Sequence, residues 1–123
     1  IHHIPGSENR QAFFSRVNQA LKPGGLVFLS CWQFQNSPKL LSRVQPWTLV
    51  NIDPALLEEG DTLLDWRGTS PAQAGQTGLR YVHLFSPAEL EQLAQQTGFT
   101  VVETFESDGA GGSLGLYQVW RSS

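Results

Sequence analysis

The chain of 123 residues is long enough for one domain and too short for two, because single domains cluster near about 100 to 150 residues. Apolar residues make up 40% of the chain, which excludes an intrinsically disordered protein, and charged residues make up only 15%. The net charge of −3 argues against a free-standing nucleic-acid-binding protein, so that any contact with RNA has to be local.

The sequence also leads to expectations about the cellular compartment and about the start of the chain. No apolar run reaches the ~18 residues of a membrane span, and no signal peptide is recognisable. The single cysteine, Cys31, cannot form an internal disulfide, so we expect a reducing, cytoplasmic compartment. The chain opens on Ile1–Pro5, which has the character of the end of a strand. We therefore expect a fragment whose front half lies upstream.

The first predicted elements are a helix, a tight turn and a strand. Ser7 is the predicted N-cap of a helix from Glu8 to Leu21. Its expected apolar stripe comprises Phe13, Phe14, Val17, Ala20 and Leu21. The segment Pro23–Gly25 ends the helix, because proline cannot continue it and glycine accepts the left-handed turn. The nearly continuous apolar run Leu26–Trp32 predicts a strand buried on both faces of a parallel sheet.

Residues 33–78 lose any helical or strand period, and four prolines divide them into short pieces. A plain connection of this length is uncommon in a compact domain. Because the segment also carries many large apolar side chains, we interpret it as a folded insertion or lid, at about residues 33–78, rather than a linker.

The following segment predicts a short strand and a well-capped helix. Leu79–Phe85 has the composition of a strand. Ser86–Glu89 then combines an N-cap serine, a proline at the first helical position and a glutamate at the third, which is the pattern of a capping box. Gly98 is the predicted end of this helix.

The last two predicted elements form an antiparallel pair. Phe99–Phe105 is expected to be a strand with Val101, Val102 and Phe105 in its core, and Leu114–Trp120 is the next strand. The glycine-rich turn between them is so short that the two strands have to be antiparallel.

Three stretches in this order of elements, His2–Ile4, Leu21–Gly25 and Glu89–Phe99, resemble the C-terminal half of class I S-adenosylmethionine-dependent methyltransferases. The resemblance implies an α/β fold: a partial, Rossmann-like methyltransferase domain over residues 1–123, with a parallel strand and a terminal antiparallel strand pair. It also implies S-adenosyl-L-methionine as the cofactor, with His2, His3 and Ile4 beside it. The glycine loop and the acidic ribose ligand of such a site are expected upstream of Ile1.

A narrower resemblance rests on Asp65–Arg67, Arg80–Phe85 and Leu116–Trp120. These stretches are similar to the family of tRNA wobble-uridine methyltransferases that esterify a 5-carboxymethyl group, which implies tRNA as the partner. Two alternatives stay open. One is methyl transfer to the carboxylate or hydroxyl of a small molecule, and the other is a catalytically silent half-domain that serves only for interaction.

A carboxylate acceptor sets simple chemical demands. It is already deprotonated at neutral pH, so that it needs a cation or a donor to orient it rather than a general base. Arginine suits this role, because its planar fork binds both carboxylate oxygens. The candidate catalytic residues are therefore Arg80 and Arg67, with Tyr81 and His83 as orienting donors and Asp65 beside Arg67.

Each of these assignments has a structural alternative. Arg67 can simply form an ion pair with Asp65 or Asp61 on a loop surface. The alternation of a strand puts Arg80 and His83 on opposite faces, so that a regular strand cannot project both into one pocket. Either the segment is irregular or one of the two side chains is structural.

The adjacent histidines His2 and His3 allow two interpretations. They can contact the substrate or cofactor, or they can have a packing or capping role. With only the distant His83 besides them, and no Cys or carboxylate at ligand spacing, they match no zinc pattern, and we expect no metal. Five aromatic side chains can stack a flipped base or fill the core: Trp32, Trp47, Trp66, Tyr81 and Trp120.

Overall fold

A computed structural model describes residues 1–123 as three helices and six strands. The helices are Ser7–Ala20 (α1), Pro38–Leu41 (α2) and Pro87–Gln96 (α3). The strands are Leu26–Trp32 (β1), Val44–Gln45 (β2), Asp61–Arg67 (β3), Thr77–His83 (β4), Phe99–Ser107 (β5) and Gly115–Ser122 (β6). None of the helices has the length and apolar character needed to cross a membrane.

The first sheet has the strand order β1-β6-β5, and β6 is antiparallel to both neighbours. The predicted antiparallel pair at the end of the chain is therefore confirmed. Because β1 and β5 both oppose β6, they run in the same direction, but no two strands of the sheet are paired in parallel. The expected parallel pairing of β1 is not found.

The expectation that β1 is buried on both faces is wrong. Its bounds are those predicted, but burial alternates along it: Cys31 is buried, whereas Phe28 is 75% exposed. Only one face is covered by helices, and only one edge is paired, with β6. A continuous apolar run indicates that both faces of a strand can be buried. It does not indicate that helices or a second sheet cover each face.

The main hydrophobic core lies between the first sheet and helices α1 and α3. Its members are Phe14, Cys31, Phe85, Leu90, Leu93, Ala94, Phe99, Leu116 and Trp120. The predicted stripe of α1 is partly wrong, because Phe13 and Ala20 are exposed. In β5, Val102 and Phe105 are also exposed rather than in the core, and an irregularity of register at Val102 turns the strand there.

The helix ends differ from the prediction in two details. Gly6, at a φ of 81°, is the N-cap of α1, and the Ser7 amide donates to the Glu58 carboxylate instead of Ser7 capping the helix. In α3 the Ser86 hydroxyl accepts from the Glu89 amide at 3.2 Å, as predicted. The Glu89 carboxylate, however, does not complete the capping box, because it contacts His83 at 2.7 Å.

The second sheet has the order β2-β3-β4, and all its pairs are antiparallel. It has a small core of its own, formed by Phe34, Leu64 and Val82. Residues 33–78 thus contain β2, β3 and the start of β4, while their role as an insertion or lid stays a prediction.

We expect Leu90→Ala to lower the free energy of unfolding by about 2 to 5 kcal/mol, because it leaves a cavity at a fully buried position. The matched control is Leu56→Ala, at a position that is 76% exposed, which should change it by less than ~0.5 kcal/mol. Urea unfolding of the intact protein measures both. Similar losses in the two variants would contradict the described core.

Candidate functional site

Strand β4 supplies side chains to two different sites. Arg80 and Val82 point to one face of the second sheet, and Tyr81 and His83 point to the other. In the structure Arg80 lines one cleft while His83 lines another. The two side chains thus do not share a pocket, as the alternation of a regular strand requires.

The Arg80 cleft lies where β1 ends and β6 begins, and it has a volume of about 390 Å³. It brings the predicted residues His2, His3 and Arg80 together, although they lie far apart in the sequence. Its remaining lining residues are Ser30, Cys31, Trp32, Asp108, Leu114, Gly115 and Tyr117.

The guanidinium of Arg80 is held by stacking rather than by hydrogen bonds. Its central carbon lies 4.6 Å from the centroid of the Trp32 ring, within cation–π range. The buried Nε–H has no hydrogen-bond acceptor, and none of the ion pairs of the chain includes Arg80. Burial and the charge of Arg43 lower the pKa of Arg80, which still stays protonated at neutral pH. Arg80 is therefore a cation with unused donors.

The hydrogen bonds of His2 and His3 indicate that the two rings carry their protons on different nitrogen atoms. The Trp32 amide donates to His2 Nδ1 at 3.3 Å, which leaves the proton of that ring on Nε2. His3 Nδ1 lies 2.9 Å from the Tyr81 carbonyl oxygen, which can only accept, so that His3 carries its proton on Nδ1. Burial and the neighbouring His3 lower the pKa of His2 to about 4, and His2 is thus uncharged at neutral pH.

Three other predicted residues lie outside the Arg80 cleft. Arg67 is exposed and donates to Asp65 at 3.0 Å, which is the structural alternative considered for this pair. The Ile4 carbonyl accepts from Arg10 at 3.1 Å, so that Ile4 contributes its backbone to a neighbouring cluster. The roles first expected for Asp65, Arg67 and Ile4 stay predictions.

A second polar group, which we call the His83 cluster, comprises Arg10, Glu58, Asp61, Tyr81, His83 and Glu89. His83 lies between two carboxylates, with Nδ1 at 2.7 Å from Asp61 and Nε2 at 2.7 Å from Glu89. Arg10, only 2% exposed, forms an ion pair with Glu58. The Tyr81 hydroxyl donates to Asp61 at 2.6 Å.

The cluster lowers the pKa of Glu58 and Asp61 and raises that of Tyr81. Burial alone would raise the pKa of Asp61, but hydrogen bonds from Tyr81, the Glu58 amide and His83 outweigh burial and hold it below its usual value. Burial and the bond to the Asp61 carboxylate raise the pKa of Tyr81. Asp61 is thus the ionised centre of the cluster, and Tyr81 stays a neutral donor.

The donor atoms of Glu58, Asp61 and His83 lie within 4.8 Å of one another, a spacing that a metal ion requires. Their lone pairs and protons are already engaged, however. Arg10 neutralises Glu58, and both ring nitrogens of His83 face carboxylates. The Arg10 guanidinium thus already supplies a positive charge to this cluster.

The sequence does not predict Arg10, Glu58 and Glu89 as members of a site, nor Trp32 as the platform for Arg80. A signal for Arg10 existed. Arg10 lies four residues before Phe14 and hence on the buried face of α1, where an arginine requires hydrogen-bonding or charged partners. No local pattern connects Glu58 or Trp32 to their partners.

Comparison with known proteins identifies the family. Residues 1–104 match the profile of the family described as methyltransferase domain, and the chain belongs to this family. This confirms the resemblance to methyltransferases, whereas the tRNA wobble-uridine family stays a prediction. No curated protein matches the chain.

Two solved structures share the fold. A SAM-dependent methyltransferase from Methanosarcina mazei is 23% identical with a TM-score of 0.62, and the match covers 98% of this chain and 54% of that chain. The CcbJ methyltransferase from Streptomyces caelestis is 16% identical with a TM-score of 0.61, over 99% and 56% of the two chains. The chain thus spans about half the length of either structure.

The lowered pKa of Asp61 predicts a specific loss of stability in acid. A group whose folded pKa is depressed stabilises the fold above its unfolded pKa of about 3.9, and this stabilisation disappears as the pH falls through the folded value. Below about pH 4 the free energy of unfolding should therefore fall more steeply in the wild type than in Asp61→Asn. Urea unfolding at a series of pH values measures this, with Glu91→Gln on the exposed face of α3 as control. Parallel profiles for wild type and Asp61→Asn would contradict the assignment.

Proposed function

We propose that the chain is the acceptor-binding half of an S-adenosylmethionine-dependent methyltransferase, and that its acceptor presents a carboxylate to Arg80. The observation that carries this proposal is the stacked guanidinium with an unpartnered Nε–H, in a cleft with His2 and His3. A buried donor without an acceptor is costly in a folded protein, and a bound carboxylate removes that cost.

In such a reaction the residues of the cleft have different roles. Arg80 binds the carboxylate through its planar fork and fixes its direction while leaving a lone pair free to react. Trp32 holds the guanidinium flat and covers one side of it against water. His2 offers its Nε2–H as a neutral donor.

The charge of the cofactor is compatible with the part of the cleft that His2 lines. S-adenosylmethionine, when bound, supplies a methyl group on a positively charged sulfonium. Because His2 is uncharged at neutral pH, it can lie beside such a cation without repulsion. His2, His3 and Ile4 are the residues of this chain that we assign to the cofactor side, and the glycine loop and ribose ligand belong to the other half of the domain.

The unpaired edge and exposed face of the first sheet support the proposal that a second half of the domain packs against them. The second edge of β1 has no paired strand, and Phe28 on its outer face is exposed. The solved relatives are about twice as long as this chain. In our proposal the upstream half of the same domain pairs with this edge and covers Phe28, and the whole enzyme acts in the cytoplasm.

The acceptor that we favour is the 5-carboxymethyl group of a tRNA wobble uridine. Its carboxylate needs no general base, which agrees with a cleft built around a cation. The ring of Tyr117 in the same cleft is suited to stacking a splayed base.

A small-molecule carboxylate or hydroxyl is the second candidate, and one observation favours it. With its proton on Nδ1, His3 has a free lone pair on Nε2, and a hydroxyl acceptor needs such a base. The net charge of −3 also provides no broad basic surface for RNA.

Arg80→Ala should lower kcat/KM for the acceptor about hundredfold, because a charge-assisted pair contributes about 1.5 to 3 kcal/mol. Arg80→Lys keeps the charge and loses the fork, so that its loss should be intermediate. The assay uses the intact protein, S-adenosylmethionine and an anticodon stem–loop with 5-carboxymethyluridine. The thermal stability of both variants should stay near wild type, since Arg80 has no hydrogen-bond partner for its Nε–H. A parallel loss of activity and stability would show a structural arginine.

Salt separates the two acceptor classes. If the stem–loop contacts about four phosphates, its affinity should fall about fiftyfold between 50 and 200 mM salt. Methylation of free 5-carboxymethyluridine should hardly respond to salt over the same range. Turnover of the nucleoside as fast as that of the stem–loop, without salt dependence in either case, would favour the small-molecule acceptor.

A further inference from the structure

The His83 cluster lies on the face of β4 opposite to Arg80, and the proposed reaction does not use it. His83 is 1% exposed, and Arg10 is 2% exposed. Buried charged groups are costly, and such clusters commonly specify one arrangement of the parts that they join. The question is therefore which parts this cluster fixes.

The two contacts of His83 demand two protons. A carboxylate can only accept, so each 2.7 Å contact is a hydrogen bond only when a proton lies between that nitrogen and its carboxylate oxygen. An imidazole with a single proton would leave the second nitrogen lone pair facing a carboxylate lone pair. A glutamine at this position has one carbonyl and one amide group, and it therefore cannot satisfy both carboxylates.

The cluster joins the second sheet to two helices that belong to a different apolar core. Arg10 belongs to α1, Glu89 to α3 and Asp61 to β3, while Tyr81 and His83 belong to β4. The main core and the core of the second sheet are separate clusters. Gly60, at a φ of 93°, lets the chain pass close to His83, since a Cβ there would lie 2.6 Å from the Leu84 carbonyl oxygen. The His83 cluster thus supplies direct polar contacts between the second sheet and the helices.

The backbone of the same two β4 residues holds the wall of the Arg80 cleft. The His83 amide donates to the His2 carbonyl at 2.8 Å, and the Tyr81 carbonyl accepts from His3 at 2.9 Å. Arg80 directly precedes Tyr81 and has no ion-pair partner to fix its position. The place of the guanidinium over Trp32 therefore depends on where β4 lies.

We infer that His83 is a positioning residue: bridged between Asp61 and Glu89, it fixes β4 so that Arg80 and the His2–His3 segment face the acceptor. This role rests on the proposed function. It replaces the direct donation to substrate expected from the sequence, because His83 points away from the Arg80 cleft.

The position of Arg80 can be measured without an acceptor, through the ¹H–¹⁵N signal of its Nε–H in the intact protein. Its assignment is the signal that is lost in Arg80→Lys. In His83→Gln and in Glu89→Ala, whose side chain cannot hydrogen-bond to His83, we expect this signal to shift and to exchange faster with water. Glu59→Ala, the same substitution at an exposed neighbouring position, should leave it unchanged. An unchanged Arg80 signal in a folded Glu89→Ala variant would overturn the inference.

Kinetics with the carboxymethyluridine stem–loop provide the second readout. His83→Gln should raise KM for the stem–loop about tenfold or more while KM for S-adenosylmethionine stays within about twofold. In an Arg80→Ala background the same substitution should add little, because its effect acts through Arg80. Effects that multiply in the double variant would overturn the positioning role. If the wild type does not methylate the stem–loop, the proposed acceptor is wrong, and the Arg80 signal still decides on His83.

Discussion

The side-chain alternation of β4 is the constraint on which the rest of the site depends. Successive residues of a strand point to opposite faces, so that Arg80 faces the cleft while Tyr81 and His83 face the helices. Residues 80–83 thereby connect the Arg80 cleft on one side with the His83 cluster on the other. A shift of register by one residue would exchange the two sets and destroy both sites.

The two faces differ in how their charges are satisfied. In the His83 cluster the nitrogen donors face carboxylates: Arg10 faces Glu58, and the ring nitrogens of His83 face Asp61 and Glu89. Arg80 has only the Trp32 ring, which attracts the cation without occupying its donors. Complete pairing suits a group that holds parts together, and incomplete pairing suits a group that awaits a ligand. The contrast within one strand is the physical basis for assigning positioning to His83 and binding to Arg80.

Local chemistry explains which features were predictable. The bounds of β1, the Ser86 cap of α3 and the antiparallel pair β5–β6 follow from short-range patterns, and all are found. Ser7 has the right residue type for an N-cap, but the Glu58 carboxylate, distant in sequence, takes its amide. The prediction of burial is wrong where burial depends on which elements pack against a strand, as at Phe28. The clusters around Arg80 and His83 depend on pairings over tens of residues, which a single sequence does not encode in any local pattern.

In our proposal the acceptor carboxylate binds to Arg80, inside the cleft that contains Trp32 and His2. A crystal structure of the intact protein with S-adenosylhomocysteine and 5-carboxymethyluridine tests this placement most directly. We expect both carboxylate oxygens within hydrogen-bond distance of the Arg80 guanidinium, with that guanidinium still stacked on Trp32. A nucleoside bound instead in the cleft that His83 and Arg10 line on the opposite face of β4, with Arg80 free of any ligand, would contradict this placement.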